Sequence, residues 1–411
     1  MNGNKRQLSK DVILYLGDNK EILSKCPDNY FDSIVTDCPY GLKFMGKAWD
    51  YDVPTMEQWQ ECLRVLKPGG HLVSFGGTRT YHRLVVNIED AGFEIRDQIM
   101  WLHGQGFPKS HNVSKSIDKK LGKERNVVGV GKSKGMQGCS KRNFDQGARP
   151  YVKGIPNQES EYPITTPASP EAIQWDGWGT ALKPANEPIC LARKPISEKT
   201  IVDNVLKWGV GGIFIDGCRI ELNGEIVPIN KLENWSGFGG EIRPDYEQTQ
   251  NTEGRFPANV IFDEEAGGML DEQSGVSKSN IRPPSGGKIL NPETGWNANS
   301  IVDKTIRGHA DSGGASRFFY CAKVSKKERN LGLPEGLIND HPTAKPISLM
   351  QWLIRLVTPP NGIVLDPFMG SGSTGCAAVL ENKPFRGIDL SPEYIEFSKA
   401  RIEYYIENSI T

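Results

Sequence analysis

Two short motifs near opposite ends of this 411-residue chain carry residue types that could do chemistry together. In Thr36-Asp37-Cys38-Pro39-Tyr40-Gly41 an extended run, Ser33 to Thr36, ends on a carboxylate. Pro39 then stiffens the turn, and Tyr40 offers an aromatic face for stacking. In the second motif, Asp366-Pro367-Phe368-Met369-Gly370-Ser371-Gly372-Ser373-Thr374-Gly375, an apolar run from Ile363 to Leu365 leads into Gly-x-Gly-x-x-Gly. Such glycines let the backbone turn tightly under a ligand before a helix begins, here near Ser373. Open parallel sheets bind ligands beyond the carboxyl ends of their strands, so both motifs are expected to face one crevice.

The glycines alone leave the ligand open. Asp389 follows Gly370 by nineteen residues (389 − 370), a spacing that equally fits the ribose contact of a dinucleotide site and hence an NAD-linked oxidoreductase. Their neighbours narrow the choice. Asp366-Pro367-Phe368 precedes the glycines, His341-Pro342-Thr343-Ala344-Lys345-Pro346 lies upstream, and Gly387-Ile388-Asp389-Leu390-Ser391-Pro392-Glu393-Tyr394 follows. With these blocks the sequence resembles the amino-methylating DNA methyltransferases that use S-adenosylmethionine, specifically the permuted, beta-class group in which D-P-P-Y precedes F-x-G-x-G. The resemblance is strong over 11–121 and 335–402. It is similar to phage and prophage members in GFPKSHNVSKSID, WGTALKPANEPICLARKP and GASRFFY.

That resemblance implies a Rossmann-like α/β S-adenosylmethionine-dependent methyltransferase fold, circularly permuted, with an inserted target-recognition region. It implies a site-specific enzyme acting on the 6-amino group of adenine in double-stranded DNA, with the 4-amino group of cytosine as the alternative. An exocyclic amine is a poor nucleophile because its lone pair is delocalised into the base. Asp37 would accept one N–H, the Cys38 carbonyl the other, and Tyr40 would stack on a base flipped out of the duplex. Most of the catalysis would come from orientation. The family also assigns cofactor contacts to Asp18, Thr343, Lys345, Asp366, Phe368, Gly370, Gly372 and Asp389.

Cys38 departs from the usual proline, which keeps the carbonyl but could loosen the loop; a catalytically idle DNA-binding relative is the reading this departure suggests. An Asp at a strand end before proline is also, on its own, a common turn-former. Thiol attack of the cytosine carbon-5 kind is disfavoured, since those enzymes resemble Pro-Cys and place the cofactor motif first. A restriction endonuclease partner and a homodimer are compatible with the family, and neither is legible in the residues.

Elements that would position the motifs follow from periodicity. Strands are expected at 11–16, 31–36, 71–75 and 94–101, with helices at 20–26, 55–67 and 78–91, the second stopping at Pro68-Gly69-Gly70. Near the other end a helix at 346–357 leads to strand 363–366, helix 373–381, strand 385–389 and a last helix opened by Ser391-Pro392. Alternation of this kind implies one mostly parallel sheet. The expected division is a catalytic half at 1–121, a target-recognition insertion at 122–334, and a cofactor half at 335–411. Within the insertion 185–220 reads as part of the catalytic sheet or its edge, whereas 122–180 and 221–316, rich in Gly, Pro, Asn and Ser, read as long functional loops.

Composition agrees with a cytoplasmic enzyme. Eight cysteines contain no C-x-x-C pair and the histidines show no ligand spacing, so neither a zinc site nor a disulfide framework is indicated. No apolar stretch approaches the roughly 18 residues of a membrane span. Net charge is −1, but between Phe107 and Lys153 there are 12 Lys or Arg against 3 acids. That run is expected to meet DNA phosphates, with a solvated loop as the plain alternative. Within it VVGVGKSKG mimics a phosphate-binding loop by chance, because Asn126 stands where its first glycine belongs.

Overall fold

A computed structural model describes residues 5–42, 50–104, 106, 110–134, 159–222, 227–228, 250–251, 254–278, 312–323, 325, 328–334 and 344–408. The chain begins with β1 (Lys5–Gln7), β2 (Val12–Leu16), α1 (Asn19–Leu23), β3 (Phe31–Thr36), α2 (Met56–Val65), β4 (Leu66–Phe75), α3 (Tyr81–Asp90) and β5 (Glu94–Leu102). Residues 106–184 then form a compact unit of their own, with α4 (Val113–Lys120), an antiparallel pair β6 (Val127–Lys134) and β7 (Glu159–Thr165), and α5 (Pro170–Gln174). Buried Asp118 organises this unit by accepting hydrogen bonds from Arg125, the Ala168 and Ser169 amides and the Ser169 hydroxyl. The VVGVGKSK segment is β6, an extended strand and not a phosphate-cradling turn.

Residues 185–411 belong with the first 105 in the other unit. They contribute β8 (Asn186–Arg193), α6 (Ile201–Trp208), the two-residue strands β9 (Val227–Pro228) and β10 (Gln250–Asn251), β11 (Val260–Asp263) and α7 (Glu264–Ser274). Then come β12 (Ser277–Lys278), β13 (Ser312–Gly313), β14 (Tyr320–Ala322), α8 (Ile347–Val357), β15 (Val364–Asp366), α9 (Ser373–Leu380), β16 (Phe385–Asp389) and α10 (Pro392–Asn408). Ten strands make one sheet in the order β1-β2-β16-β15-β3-β4-β8-β5-β11-β14. Pairing is parallel except at β1–β2 and on both sides of β8.

Alternation along the central strands sends side chains into two cores, as a doubly covered sheet requires. Ile34, Leu72 and Cys190 pack with Trp59 and Cys62 of α2 and Leu84 and Ile88 of α3. Their neighbours Val35, Val73 and Ile189 pack on the other face, in the cluster holding α8, Cys376 to Ala378 of α9, and Ile395 and Ile402 of α10. Helix α8 is buried at eight of its eleven positions.

Two expectations are corrected and a third is narrowed. The helix after Thr55 ends at Val65 and not at residue 67, and β4 runs directly from Leu66 through Pro68-Gly69-Gly70 instead of starting at His71. The strand accommodates these residues by a register shift against β3 between Phe31 and Ser33 and by Gly69 at φ +84°. Segment 185–220 contributes β8 to the interior of the sheet, the first of the two places expected for it. Finally, 221–316 is not wholly loop: β11 lies in the sheet beside β5, with α7 following it.

Candidate active site

The strands that carry the two motifs are neighbours. β3 and β15 run parallel, with Ser33 opposite Val364 and Ile34 opposite Leu365, so Asp37 and Asp366 emerge from the same edge of the sheet. A side-chain clasp joins them: Thr36 Oγ1 donates to Asp366 Oδ1 at 2.6 Å. Asp366 also accepts from the Phe368 amide and, through Oδ2, from the Thr374 hydroxyl at 2.5 Å. Burial lifts its carboxyl to about 7, against the pull of those hydrogen bonds. Asp366, assigned by resemblance to the cofactor, lines the cavity described below and also holds both ends of the glycine loop to β3.

Beyond this clasp the loop is shaped by close approach. Gly370 and Gly372 have φ of +54° and +79°, and a Cβ on Gly372 would lie 2.7 Å from the Ser398 Cβ. Asp389, at the end of β16, accepts from the Gly370 amide through Oδ2 and from the Ser391 amide through Oδ1, both at 2.8 Å. Burial raises its carboxyl to about 6. Asp18 caps α1 by accepting from the Glu21 amide at 3.1 Å, and Phe368 meets Trp59 edge-on with ring centroids 5.8 Å apart. Asp18, Asp37, Tyr40, Phe368, Gly370 and Asp389 all line one cavity of about 450 Å³. A glycine turn, acceptor carboxylates and an aromatic wall around such a volume fit a nucleoside-sized ligand. Thr343 lies outside the described residues.

At the other end of the cavity the Asp37–Gly41 turn is pinned from three sides. Asp50, which is buried, accepts from the Tyr40 and Gly41 amides at 2.8 and 2.9 Å. Thr80 Oγ1 donates to the Tyr40 carbonyl. Gly41, at φ +66°, packs against Asp52 and Val53. Sequence reasoning missed Asp50 and Thr80, since neither belongs to a recognisable motif.

The turn carries a cluster of charges. Lys345 Nζ lies 2.6 Å from Asp37 Oδ2 and 3.2 Å from Glu187 Oε2, and 5.3 and 5.0 Å from the ring centres of Tyr40 and Phe75. Tyr40 Oη is 2.9 Å from Asp37 Oδ1 and 2.7 Å from Glu187 Oε2. His103 Nε2 stands 4.0 Å from Glu187 Oε1. Burial raises the Asp37 carboxyl above its ordinary value, the Lys345 ammonium opposing and the Glu187 charge adding to the rise. For Glu187 burial is outweighed by Lys345 and the Tyr40 hydroxyl, and its carboxyl sits below the usual range. Burial would neutralise Lys345, but the two carboxylates more than offset it and hold it charged. Lys345 thus reaches the acidic turn, beyond the cofactor contact the resemblance assigned to it. Glu187 had no assigned role at all; it lies in the segment Ala185-Asn186-Glu187-Pro188, and only the placement of β8 beside β4 reveals it.

Cys38 is sealed beneath the turn, with Sγ 3.3 Å from both the Phe75 carbonyl and the Ser74 hydroxyl. Burial pushes its thiol well above the normal range, so it holds almost no thiolate at neutral pH. Iodoacetamide applied to the folded protein is expected to leave Cys38 unmodified until denaturant is added. Labelling of Cys38 at native pH 7, read by peptide mass spectrometry, would contradict this placement.

Comparisons with known proteins bear on this geometry. A family model described as DNA methylase, of the N6/N4 type, matches residues 31–135 and 235–400, more than half of the chain. The type II methyltransferase M.BglI of Bacillus subtilis is 43% identical over 72 residues, which are 17% of this chain and 21% of that protein. The DNA adenine methyltransferase YhdJ of Escherichia coli is 41% identical over 64 residues, 16% of this chain and 22% of that one. Each match therefore spans well under two thirds of the relative's length. Among solved structures, the M1.HpyAVI–SAM complex superposes over 95% of this chain and 99% of its own with a TM-score of 0.38 and 16% identity. The PvuII methyltransferase, described as cytosine-N4-specific, gives 97% and 91%, a TM-score of 0.46 and 13% identity.

Proposed function

The chain belongs to the DNA methylase family of the N6/N4 type, and from that premise we propose that it transfers a methyl group from S-adenosylmethionine to the 6-amino group of adenine in double-stranded DNA. The observation that carries this reading is the adjacency of β3 and β15, which sets Asp37 and the glycine loop on the wall of one cavity. Gly370 and Gly372 would allow the cofactor close to the backbone, Asp389 would accept its ribose hydroxyls, and Asp18 and Phe368 would face its nucleoside end. The cofactor supplies an electrophilic methyl group on a sulfonium. Asp37 and the Cys38 carbonyl would each accept an N–H of the target amine, turning its lone pair toward that methyl, while the Tyr40 ring stacks on the flipped base. The leading Asp of the motif supports adenine over cytosine.

The test is sequencing, with modification detection, of DNA from cells that express the protein. N6-methyladenine within a recurring sequence is expected. N4-methylcytosine would change the base but keep the class, and unmodified DNA would favour an idle relative.

DNA binding by the basic run accounts for its charge. Lys141 and Arg142 lie outside the described residues, but Lys115, Lys119, Lys120 and Lys123 are exposed on and just after α4. Changing all four to Gln should weaken binding to every DNA sequence and flatten the slope of log affinity against log salt by up to about 0.9 for each phosphate no longer neutralised. The set of methylated sites should stay the same, because phosphate contacts position the protein without reading bases. A parental salt slope would assign these lysines to solvent.

A further inference from the structure

The hydroxyl of Tyr40 faces two carboxylates at hydrogen-bonding distance, Asp37 Oδ1 at 2.9 Å and Glu187 Oε2 at 2.7 Å. A phenol has one proton to donate. When Glu187, the nearer acceptor, takes it, the Tyr40 oxygen turns lone pairs toward Asp37 Oδ1, and that approach is favourable only if a further proton arrives. Lys345 is shared in the same way, 2.6 Å from Asp37 and 3.2 Å from Glu187. Counting Asp37, Glu187 and Lys345, the cluster carries one negative charge in excess, in surroundings where an uncompensated charge is costly. Asp50 accepts from the Tyr40 and Gly41 amides through its Oδ1. His103 stands 4.0 Å from Glu187 Oε1, the Cys38 thiol adjoins Asp37, and Asp366, joined to Thr36 beside Asp37, feels the Asp37 charge.

We propose that Glu187 is a positioning residue for the transfer step: by claiming the Tyr40 hydroxyl and sharing the Lys345 ammonium, it leaves Asp37 Oδ1 free to take a proton from the target amine. The inference rests on the methyltransferase reading and deepens it. In the step, the amine lone pair forms the new N–C bond while the C–S bond breaks and its electron pair stays on sulfur, giving a neutral thioether. The methylated nitrogen, now cationic, loses one N–H proton to Asp37 and keeps that bonding pair. The excess negative charge of the cluster is then neutralised. Without Glu187, both Tyr40 and Lys345 would turn wholly to Asp37, fill its lone pairs and make it a poorer acceptor.

Glu187→Gln removes the charge and keeps the shape. With tritiated S-adenosylmethionine and unmethylated bacterial genomic DNA, kcat at neutral pH should fall about tenfold or more, with KM for the cofactor within about twofold of the parent. Because activity needs ionised Asp37, it is lost as pH falls through that carboxyl's pKa. The Glu187 charge raises that pKa, so the acidic limb of kcat should move to lower pH in Glu187→Gln and return toward the parent in Glu187→Asp. A fall in kcat with an unmoved acidic limb in Glu187→Gln would make Glu187 merely structural and overturn the inference, as would a parental kcat. Failure of the parent protein itself to label DNA would overturn the methyltransferase reading and the inference together.

Discussion

An Asp37→Ala protein is expected to bind S-adenosylmethionine nearly as the parent does and to transfer methyl groups at least about a hundredfold more slowly. Removing one preorganised polar group at the reacting centre costs about 3 kcal/mol or more at the transition state. Asp37 sits on the turn at the end of β3 and meets Tyr40 and Lys345, whereas the glycine loop is held by Asp366 and Asp389. The two functions are therefore separable by mutation. Calorimetric titration with S-adenosylhomocysteine should give a dissociation constant close to the parent's, while methyl incorporation into DNA drops. Methylation near the parental rate would remove Asp37 from the mechanism.

For Asp389→Ala the pattern should reverse, with cofactor affinity weakened and DNA binding retained. A carboxylate accepting ribose hydroxyls contributes about 1.5 to 3 kcal/mol, which corresponds to roughly a tenfold to hundredfold change in dissociation constant. The variant also releases the Gly370 amide from its hydrogen bond to Asp389 Oδ2, loosening the turn that the ligand must approach. A pH series adds an independent sign. Burial lifts the Asp389 carboxyl to about 6, and the ionised form is the better acceptor, so parental affinity should be full above that value and decline as pH falls through it. Asp389→Ala should show no such decline. Equal affinities for the two proteins at pH 7.5 would mean that the nineteen-residue spacing had been matched to the wrong ligand group.

The motif-bearing parts of the fold were legible because each combines a strand, a turn and a chemical group in a few consecutive residues. β3, β15, α9 and β16 lie within a residue or so of where periodicity and the glycines put them. Pro68-Gly69-Gly70 misled because proline and glycine usually stop a strand, and here a bulge and a hydrogen bond from Asn204 to the Pro68 carbonyl absorb them. β11 and β14, four and three residues long, lack the length to display a period. Glu187 and Asp50 stayed hidden for another reason: each is a single acid whose meaning comes from what lies across the sheet. Asp37 and Lys345 are 308 residues apart in the chain, and no local pattern announces that they meet.

Strands β2 and β3 are made well before the two strands that belong between them, β15 and β16, which span Val364–Asp366 and Phe385–Asp389. At elongation rates of about 5 to 20 residues per second the gap stays open for on the order of 15 to 65 s. During that time the inner edges of β2 and β3 present unpaired N–H and C=O groups, a template on which another nascent chain could add a strand. Pairings so distant in sequence also close slowly once their partners exist. Synthesis of this protein therefore depends on keeping its N-terminal portion from mispairing while the rest is made, and its rate of translation bears directly on how much of it reaches the folded state.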